Sequence, residues 1–361
     1  MKKILIVALA LLMLAGIFAG CKPAESKYEI AMITDKGDID DKSFNQTTYE
    51  AIQAYANAND KTYKYYKPIE ATDAEYFAAV ELAIKAGAKV VVTPGWMFGP
   101  AIFKAQDEYP DTHFIIIDTS PHSADYSEFR TGDNVYSVVY KEEQVGFFAG
   151  YAAVKDGYTK LGYLGGQAVP AVIKYGWGFI AGADYAAKEM GLDSVEIKYH
   201  YTGDFDATPK NQTTSATMYA NGTEIIFAAG GKVGESAMAA AEAAGGKVIG
   251  VDVDQSGMSD TVVTSAMKFL ALAVEVGLDG HYAGNFPGGQ NAVYDISNDG
   301  VGMEIANARF NVFTADDYAD IVAKMQDETT GIAASIPVPA SDSTGGPEAV
   351  VTEIVTVEVI Q

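Results

Sequence analysis

Four carboxylates, a flexible glycine and an aromatic ring fall within one short stretch: Asp35, Asp38, Asp40, Asp41, Gly37 and Phe44, with Asn45 closing it. Carboxylates accept hydrogen bonds from hydroxyl and amine donors. An aromatic face stacks on a flat ring or on the apolar face of a sugar. The chemistry on offer is recognition of a polar ligand with a flat part. A simpler reading of the same residues is a solvated acidic turn whose Asp41 or Ser43 caps a helix. The stretch follows an apolar run, Tyr28–Ile33, and precedes a helical pattern, Gln46–Ala58. It is therefore a loop at the carboxyl end of a first strand, the edge where ligands sit in open α/β sheets.

The elements that must position such a site alternate along the chain. Strand patterns fall at residues 62–66, 89–93 and 113–117, separated by helical patterns at 74–86 and 101–108. The alternation restarts with a helix at 142–154, then strands at 160–164, 195–199, 224–228, 247–251 and 261–264. Helices are expected between them at 172–190, 207–220 and 233–244, with Gly191 as a left-handed stop. A helix at 266–282, a strand at 291–296, a helix at 314–325 opened by a Thr314/Asp317 capping box and an alternating strand at 349–360 complete the pattern. Continuous rather than alternating apolar runs, such as Val90–Val92, indicate parallel sheets covered on both faces. Two successive α/β sets suggest two similar lobes.

Each strand end offers chemistry. The first half presents Asp35 and Phe44, then Gly95, Trp96 and Phe98, then Asp118. The second half presents Gly165-Gly166, Gly230-Gly231, Asp252, and Ser265 with Lys268. Glycines let a backbone approach a ligand closely. The set suits a neutral, polyhydroxylated ligand with a ring. Vicinal hydroxyls would donate to Asp252, and Lys268 would donate to a hydroxyl or ring oxygen. Singly, Asp118 and Asp252 could be helix caps, Lys268 a solvated charge, and Trp96 and Trp177 ordinary core. One pocket accounts for all of them together.

The totals exclude some classes. Composition is ordinary for a globular chain, and 361 residues suffice for two domains. A net charge of −23 argues against nucleic-acid binding, which needs clustered Lys and Arg. The N-terminus reads as a secretory signal: Lys2 and Lys3, then an apolar run, Ile4–Ala19, then Gly20 and the only cysteine, Cys21. Phe18-Ala19-Gly20-Cys21 looks like a bacterial lipobox, which would lipidate Cys21 and tether the protein to a membrane without spanning it. With one cysteine no intramolecular disulfide can form.

The motifs from Asp35 to Asn45, Gly95 to Phe98, Ile117-Asp118, Ala229 to Gly231, Gly250 to Gln255 and Thr264 to Lys268, in this order, resemble those of the basic membrane protein family. These are lipoproteins similar to the purine nucleoside receptors of ABC importers, and the resemblance spans roughly Tyr28 to Asp320. It implies the type I periplasmic binding protein fold, an α/β architecture of two doubly wound lobes hinged at three crossovers. On that template residues 1–20 are a signal peptide and 21–27 a lipid-anchored tether. The N-terminal lobe takes 28–140 plus 265–295, and the C-terminal lobe 141–264 plus 296–361. Carried over by motif, Asp35 and Asp118 would bond the base, with Asn45 and Trp96 beside them. Phe44 would stack on the base, Asp252 and Lys268 would hold the ribose, and Gly231 would lend a backbone group. A second stacking ring is expected from Phe227 or else Trp177. The chain departs from the family at Lys232, where Thr is usual, at Phe269, where a basic residue is usual, and in its acidity.

The resemblance further implies a monomer that partners an ABC permease, with no cofactor, metal or nucleic acid. An enzyme is disfavoured by the residues themselves. The histidines (113, 122, 200, 281) are scattered, and Gly234–Met238 lacks the last glycine of a nucleophile elbow. Gly246-Lys247-Val248 is not a phosphate loop. Asp252–Gly257 starts like a calcium loop, but its twelfth position is Val263 instead of Glu. A sugar receptor on the same fold and a surface adhesin stay open as alternatives.

Overall fold

The computed structural model describes residues 28–340 and 345–360. The signal segment, Cys21 and the tether lie outside the described residues. In chain order the strands are β1 (Ile30–Ile33), β2 (Tyr63–Tyr66), β3 (Val90–Pro94), β4 (His113–Ile117), β5 (Val135–Tyr140), β6 (Lys160–Gly165) and β7 (Val195–Tyr201). They continue as β8 (Ile225–Ala229), β9 (Lys247–Asp252), β10 (Val262–Lys268), β11 (Gln290–Tyr294), β12 (Val301–Met303) and β13 (Val355–Val359). The helices are α1 (Phe44–Ala58), α2 (Asp73–Lys85), α3 (Gly99–Glu108), α4 (Glu142–Lys155) and α5 (Pro170–Met190). After them come α6 (Pro209–Ala220), α7 (Val233–Ala244), α8 (Leu270–Ala283), α9 (Ala315–Gln326) and a single turn, α10 (Ile332–Ser335).

Two sheets result. The first has the order β11-β5-β4-β3-β1-β2 and is wholly parallel. The second has the order β12-β10-β9-β8-β6-β7-β13, parallel except for β12 against β10. The Val90–Val92 and Ile115–Ile117 runs are fully buried because helices cover both faces, α1 and α8 on one side of the first sheet, α2 and α3 on the other. In the second sheet α4 and α5 cover one face, α6 and α7 the other. The chain passes between sheets three times, after Tyr140, after Lys268 and after Tyr294.

The stop at Gly191 (φ 66°) and the Thr314/Asp317 capping box are present as expected. Three expectations differ. Strands β5 and β12 were absent from the sequence reading. The strand expected at 261–264 runs on to Lys268, and the helix expected from Ala266 begins at Leu270. Residues 266–268 pair with β12, and 266 and 267 with β9 as well, and these ladders outweigh the helix propensity of Ala, Met and Lys. The lobe boundary set at residue 265 consequently falls inside β10, all of which belongs to the second sheet. Of the tail expected as one strand from 349 to 360, Val355–Val359 alone pairs, in parallel with β7.

Helices α4 and α5 touch backbone to backbone. A Cβ at Gly146 would stand 2.3 Å from the Tyr175 carbonyl oxygen, and one at Gly150 2.0 Å from that of Phe179. Across the seam, Gly178 and Gly182 face the carbonyls of Glu143 and Phe147 at 2.1 and 1.9 Å. Each helix thus presents two glycines four residues apart, which places them on one face. This seam fixes the start of α4 against the second turn of α5. Gly150→Ala should lower stability by about 1–3 kcal/mol through overpacking against a backbone atom that cannot rotate away; thermal unfolding followed by circular dichroism checks it.

Candidate functional site

The carboxyl ends of the two sheets face each other across a cavity of about 250 Å³. That is just under the ~300–1,000 Å³ typical of small-ligand pockets. From the first sheet come Asp35 after β1, Phe44 and Asn45 at the start of α1, Gly95 and Trp96 after β3, and Asp118 after β4. From the second come Tyr175 on α5, Phe205 and Asp206 after β7, Gly230 to Lys232 after β8, Asp252 at the end of β9 and Lys268 at the end of β10.

The acidic loop divides its labour. Asp41 is the helix anchor: its two oxygens accept from the backbone N–H groups of Ser43 (2.9 Å), Asn45 (2.9 Å) and Gln46 (3.0 Å). The capping reading of the loop holds for this residue. Asn45 donates both amide hydrogens to neighbours, 2.9 Å to Asp35 Oδ1 and 2.9 Å to Asp41 Oδ2. Its amide therefore holds Asp35 in place, with no N–H left for a ligand. Gly37 N–H adds a 2.8 Å bond to Asp35 Oδ1. Gly95, at φ 129°, leaves room for Asp35, since a Cβ there would stand 2.9 Å from the Asp35 Cβ. Burial pushes the Asp35 carboxyl up to about 6, against these hydrogen bonds, which favour the ionised form.

Asp118 and Asp252 share an unusual backbone. Both end a strand with positive φ, 73° and 66°. Neither precedes a helix, so neither is a cap. The left-handed conformation costs a non-glycine residue about 1 kcal/mol or more and concentrates at functional sites. Asp252 is gripped from both lobes: Ser43 Oγ donates to Oδ2 in a short bond, and Tyr175 OH donates to Oδ1 at 3.1 Å.

Lys268 is 2% exposed. Its ammonium lies 2.8 Å from both Asp118 oxygens and 2.8 Å from Glu142 Oε1. The Phe44 and Tyr140 rings each centre 5.0 Å from it. An ammonium has three donors, and the carboxylates around it engage them. Its direct contacts are thus to Asp118 and Glu142, and it also lines the cavity in which it was expected to hold a ribose. Burial alone would lower the Lys268 value, but Asp118, Glu142 and Asp252 raise it. Burial raises Asp118 to about 6 despite the ammonium. It likewise raises Asp252.

Three contacts join the lobes at the mouth, all from residues 40–43: Ser43 to Asp252, Gln255 Nε2 to the Lys42 carbonyl (3.1 Å), and Lys232 to Asp40 (2.7 Å). The lobes are closed upon the cavity.

Two expected residues are elsewhere. Phe227 lies mid-strand in β8, fully buried among Tyr163, Tyr175 and Phe179, because its side chain points to the helix-covered face and not past the strand end. Trp177 is two turns into α5, and its indole N–H donates to the Gly346 carbonyl at 3.1 Å in the C-terminal tail. The aromatics that line the second lobe's side are Tyr175 on α5 and Phe205 in the loop after β7. That loop follows the end of β7, and its place past a strand end is the signal that marks it. Ser43 was legible only as a candidate cap, a role its side chain does not take, and Tyr175 carried no signal of its own. Among the described residues no group of three or more His, Cys, Asp or Glu is placed to hold a metal ion, and no helix is long and apolar enough to cross a membrane.

Because burial raises Asp35 in the folded chain, folding takes up a proton between its ordinary value of 3.8 and about 6, and ionisation above that window costs stability. Asp35→Asn should match the parent's melting temperature below about pH 4. It should exceed it increasingly up to pH 6, by the equivalent of about 1–2 kcal/mol, in calorimetry across that range.

Known proteins agree with this architecture. Residues 28–342 match the profile of the Bmp family, described as "ABC transporter substrate-binding protein PnrA-like". The chain is 26% identical over 339 residues to the ABC transporter nucleoside-binding protein BmpA of Lactococcus lactis, covering 85% of this chain and 92% of that one. It is 28% identical over 337 residues to the CD4+ T-cell-stimulating antigen of Listeria monocytogenes, covering 84% and 90%. Among solved structures, a solute-binding protein of an ABC transporter system from Aeropyrum pernix superposes with a TM-score of 0.69 at 21% identity, covering 83% of this chain and 86% of that one. That likeness shows the periplasmic binding protein fold. With its profile matched along nearly the whole described chain, the protein belongs to the Bmp family of ABC transporter substrate-binding proteins.

Proposed function

We propose that this protein captures a nucleoside, a purine one by preference, between its two lobes and passes it to an ABC permease for import. The observation that carries this reading is one cavity lined by aromatic rings from both lobes, Phe44 and Trp96 from the first and Phe205 and Tyr175 from the second, with Asp35, Asp118 and Asp252 on its walls. Two rings suit the faces of a flat base. Carboxylates suit the N–H groups of its edge and the vicinal hydroxyls of ribose. The name of the Lactococcus lactis relative, a nucleoside-binding protein, supports the same ligand class.

In this reading Asp35 and Asp118 take the base edge, Asp252 takes ribose hydroxyls, Gly231 offers its backbone, and Lys268 orients Asp118. The moving bodies are residues 28–140 with 269–294, and 141–268 with 295–360, turning about the three crossovers. A ligand touching both lobes favours the closed form by its differential affinity for that state. Processing at Cys21 anchors a monomer to the outer face of the cell membrane through lipid.

A thermal-shift panel tests the ligand. Inosine, guanosine or adenosine should raise the melting temperature while free ribose does not. Stabilisation by a sugar alone would replace the ligand class and keep the fold, and silence across the panel would defeat the reading. In titration calorimetry Phe44→Ala and Phe205→Ala should each weaken nucleoside binding by about 1–3 kcal/mol, the scale of one base–aromatic stack. Asp252→Ala should cost at least as much, since the Ser43 and Tyr175 hydroxyls lose their acceptor. Cys21→Ala should move the protein from the membrane fraction to the soluble one.

A further inference from the structure

Behind the cavity runs a chain of alternating charges that no ligand contact requires. Asp118, from the first sheet, holds Lys268 at the second crossover. Lys268 holds Glu142, the first residue of α4 at the first crossover. Glu142 Oε2 accepts from Lys174 Nζ on α5 at 3.0 Å, and Lys174 also donates to the Tyr140 carbonyl at 2.9 Å. Glu142 is 1% exposed, and neither it nor Lys174 lines the cavity.

We infer that Glu142 and Lys174 are positioning residues of the ligand site: acting through Lys268, they set the charge and orientation of Asp118. The inference rests on the nucleoside reading for the ligand, but the electrostatic chain exists without it. A staple that merely ties the crossovers together would need a cation and an anion in contact. It would not need the ligand-facing carboxylate to be the terminal member of the chain, with its two oxygens held symmetrically.

The groups facing Asp118 are Lys268 from β10, Asp252 from β9, Tyr140 from β5, Glu142 from α4, and Lys174 and Tyr175 from α5. Glu143 on α4 also faces Lys174, so four carboxylates share two ammonium groups in a water-poor interior. Burial opposes ionisation of Glu142, but Lys174 and Lys268 outweigh it and keep it charged. That charge has two effects on Asp118: it repels the Asp118 carboxylate and competes for the same ammonium. Removing the charge frees Lys268 for Asp118. Removing Lys174 does the opposite, because Glu142 then draws more on Lys268 and a nearby positive charge is lost.

Two substitutions outside the cavity should therefore shift one titration in opposite directions. With aspartate carboxyls labelled with 13C, and Asp118→Asn to assign the signal, the Asp118 midpoint should fall in Glu142→Gln and rise in Lys174→Met. Each shift should be roughly one pH unit. Lys174→Arg, which keeps the charge, should restore the parent profile. Calorimetric titration with inosine from pH 5 to 8 should show the acid loss of affinity moving with the NMR midpoint in each variant. Shifts of the same sign, or an Asp118 midpoint that stays put while both variants merely melt earlier, would overturn the inference. Failure of the parent protein to bind any nucleoside would overturn the ligand reading alone, and the ligand-free NMR titration would still decide the coupling.

Discussion

The buried ammonium of Lys268 is the constraint around which both lobes are arranged. A cation taken out of water is stable only where carboxylates replace its hydration closely and completely. Here Asp118 reaches it from the first sheet and Glu142 from the start of α4, each at 2.8 Å. The rings of Phe44 and Tyr140 add their negative faces. Each partner belongs to a different element, so the demand of one charge fixes where β4, β10, α1 and α4 meet. The glycine seam between α4 and α5 serves the same end, since it carries Lys174 to the far oxygens of Glu142.

The carboxylates on the opposite wall obey another logic. Asp35 has amide donors but no direct ion pair, and burial leaves it close to its titration point. Asp118 and Asp252 sit on left-handed backbone at the ends of β4 and β9, in matching places on the two sheets. A fold selected for stability alone would neither bury a carboxylate without an ion pair, as at Asp35, nor strain the backbone under two others, as at Asp118 and Asp252. Such features concentrate where a ligand supplies the missing partners. The mouth follows suit. One loop, residues 40–43, makes all three of the cross-lobe bonds at the mouth, and its neighbour Phe44 faces the cavity.

The substrate-binding family explains why such a site needs two bodies. Where walls of a site are drawn from two bodies, a ligand that touches both favours the arrangement that brings them together. The hydroxyl of Ser43 on Asp252 is a protein contact that itself ties the two walls together.

The strand–helix alternation was legible because it is written in local periodicity: β-branched runs, Gly191 as a stop, and Thr314 with Asp317 as a box. The positions of Asp35, Phe44, Asp118 and Asp252 were legible too, since a residue just past a strand in a parallel sheet has few places to be. β5 and the end of β10 were not, because strand pairing with distant neighbours overrode local preference at residues 266–268. Nor was the choice among aromatics. Phe227 and Trp177 near the motif lie in the core, while Phe205 in an unremarked loop lines the cavity. Sequence by itself determined the order of elements and the residue types at their ends. Tertiary structure alone decided which side chains face one another, giving Lys268 to Asp118 and Glu142, Ser43 to Asp252 and Glu142 to Lys174. Those pairings join residues from tens to more than two hundred positions apart. They depend on register and sheet packing, which no short window of sequence contains.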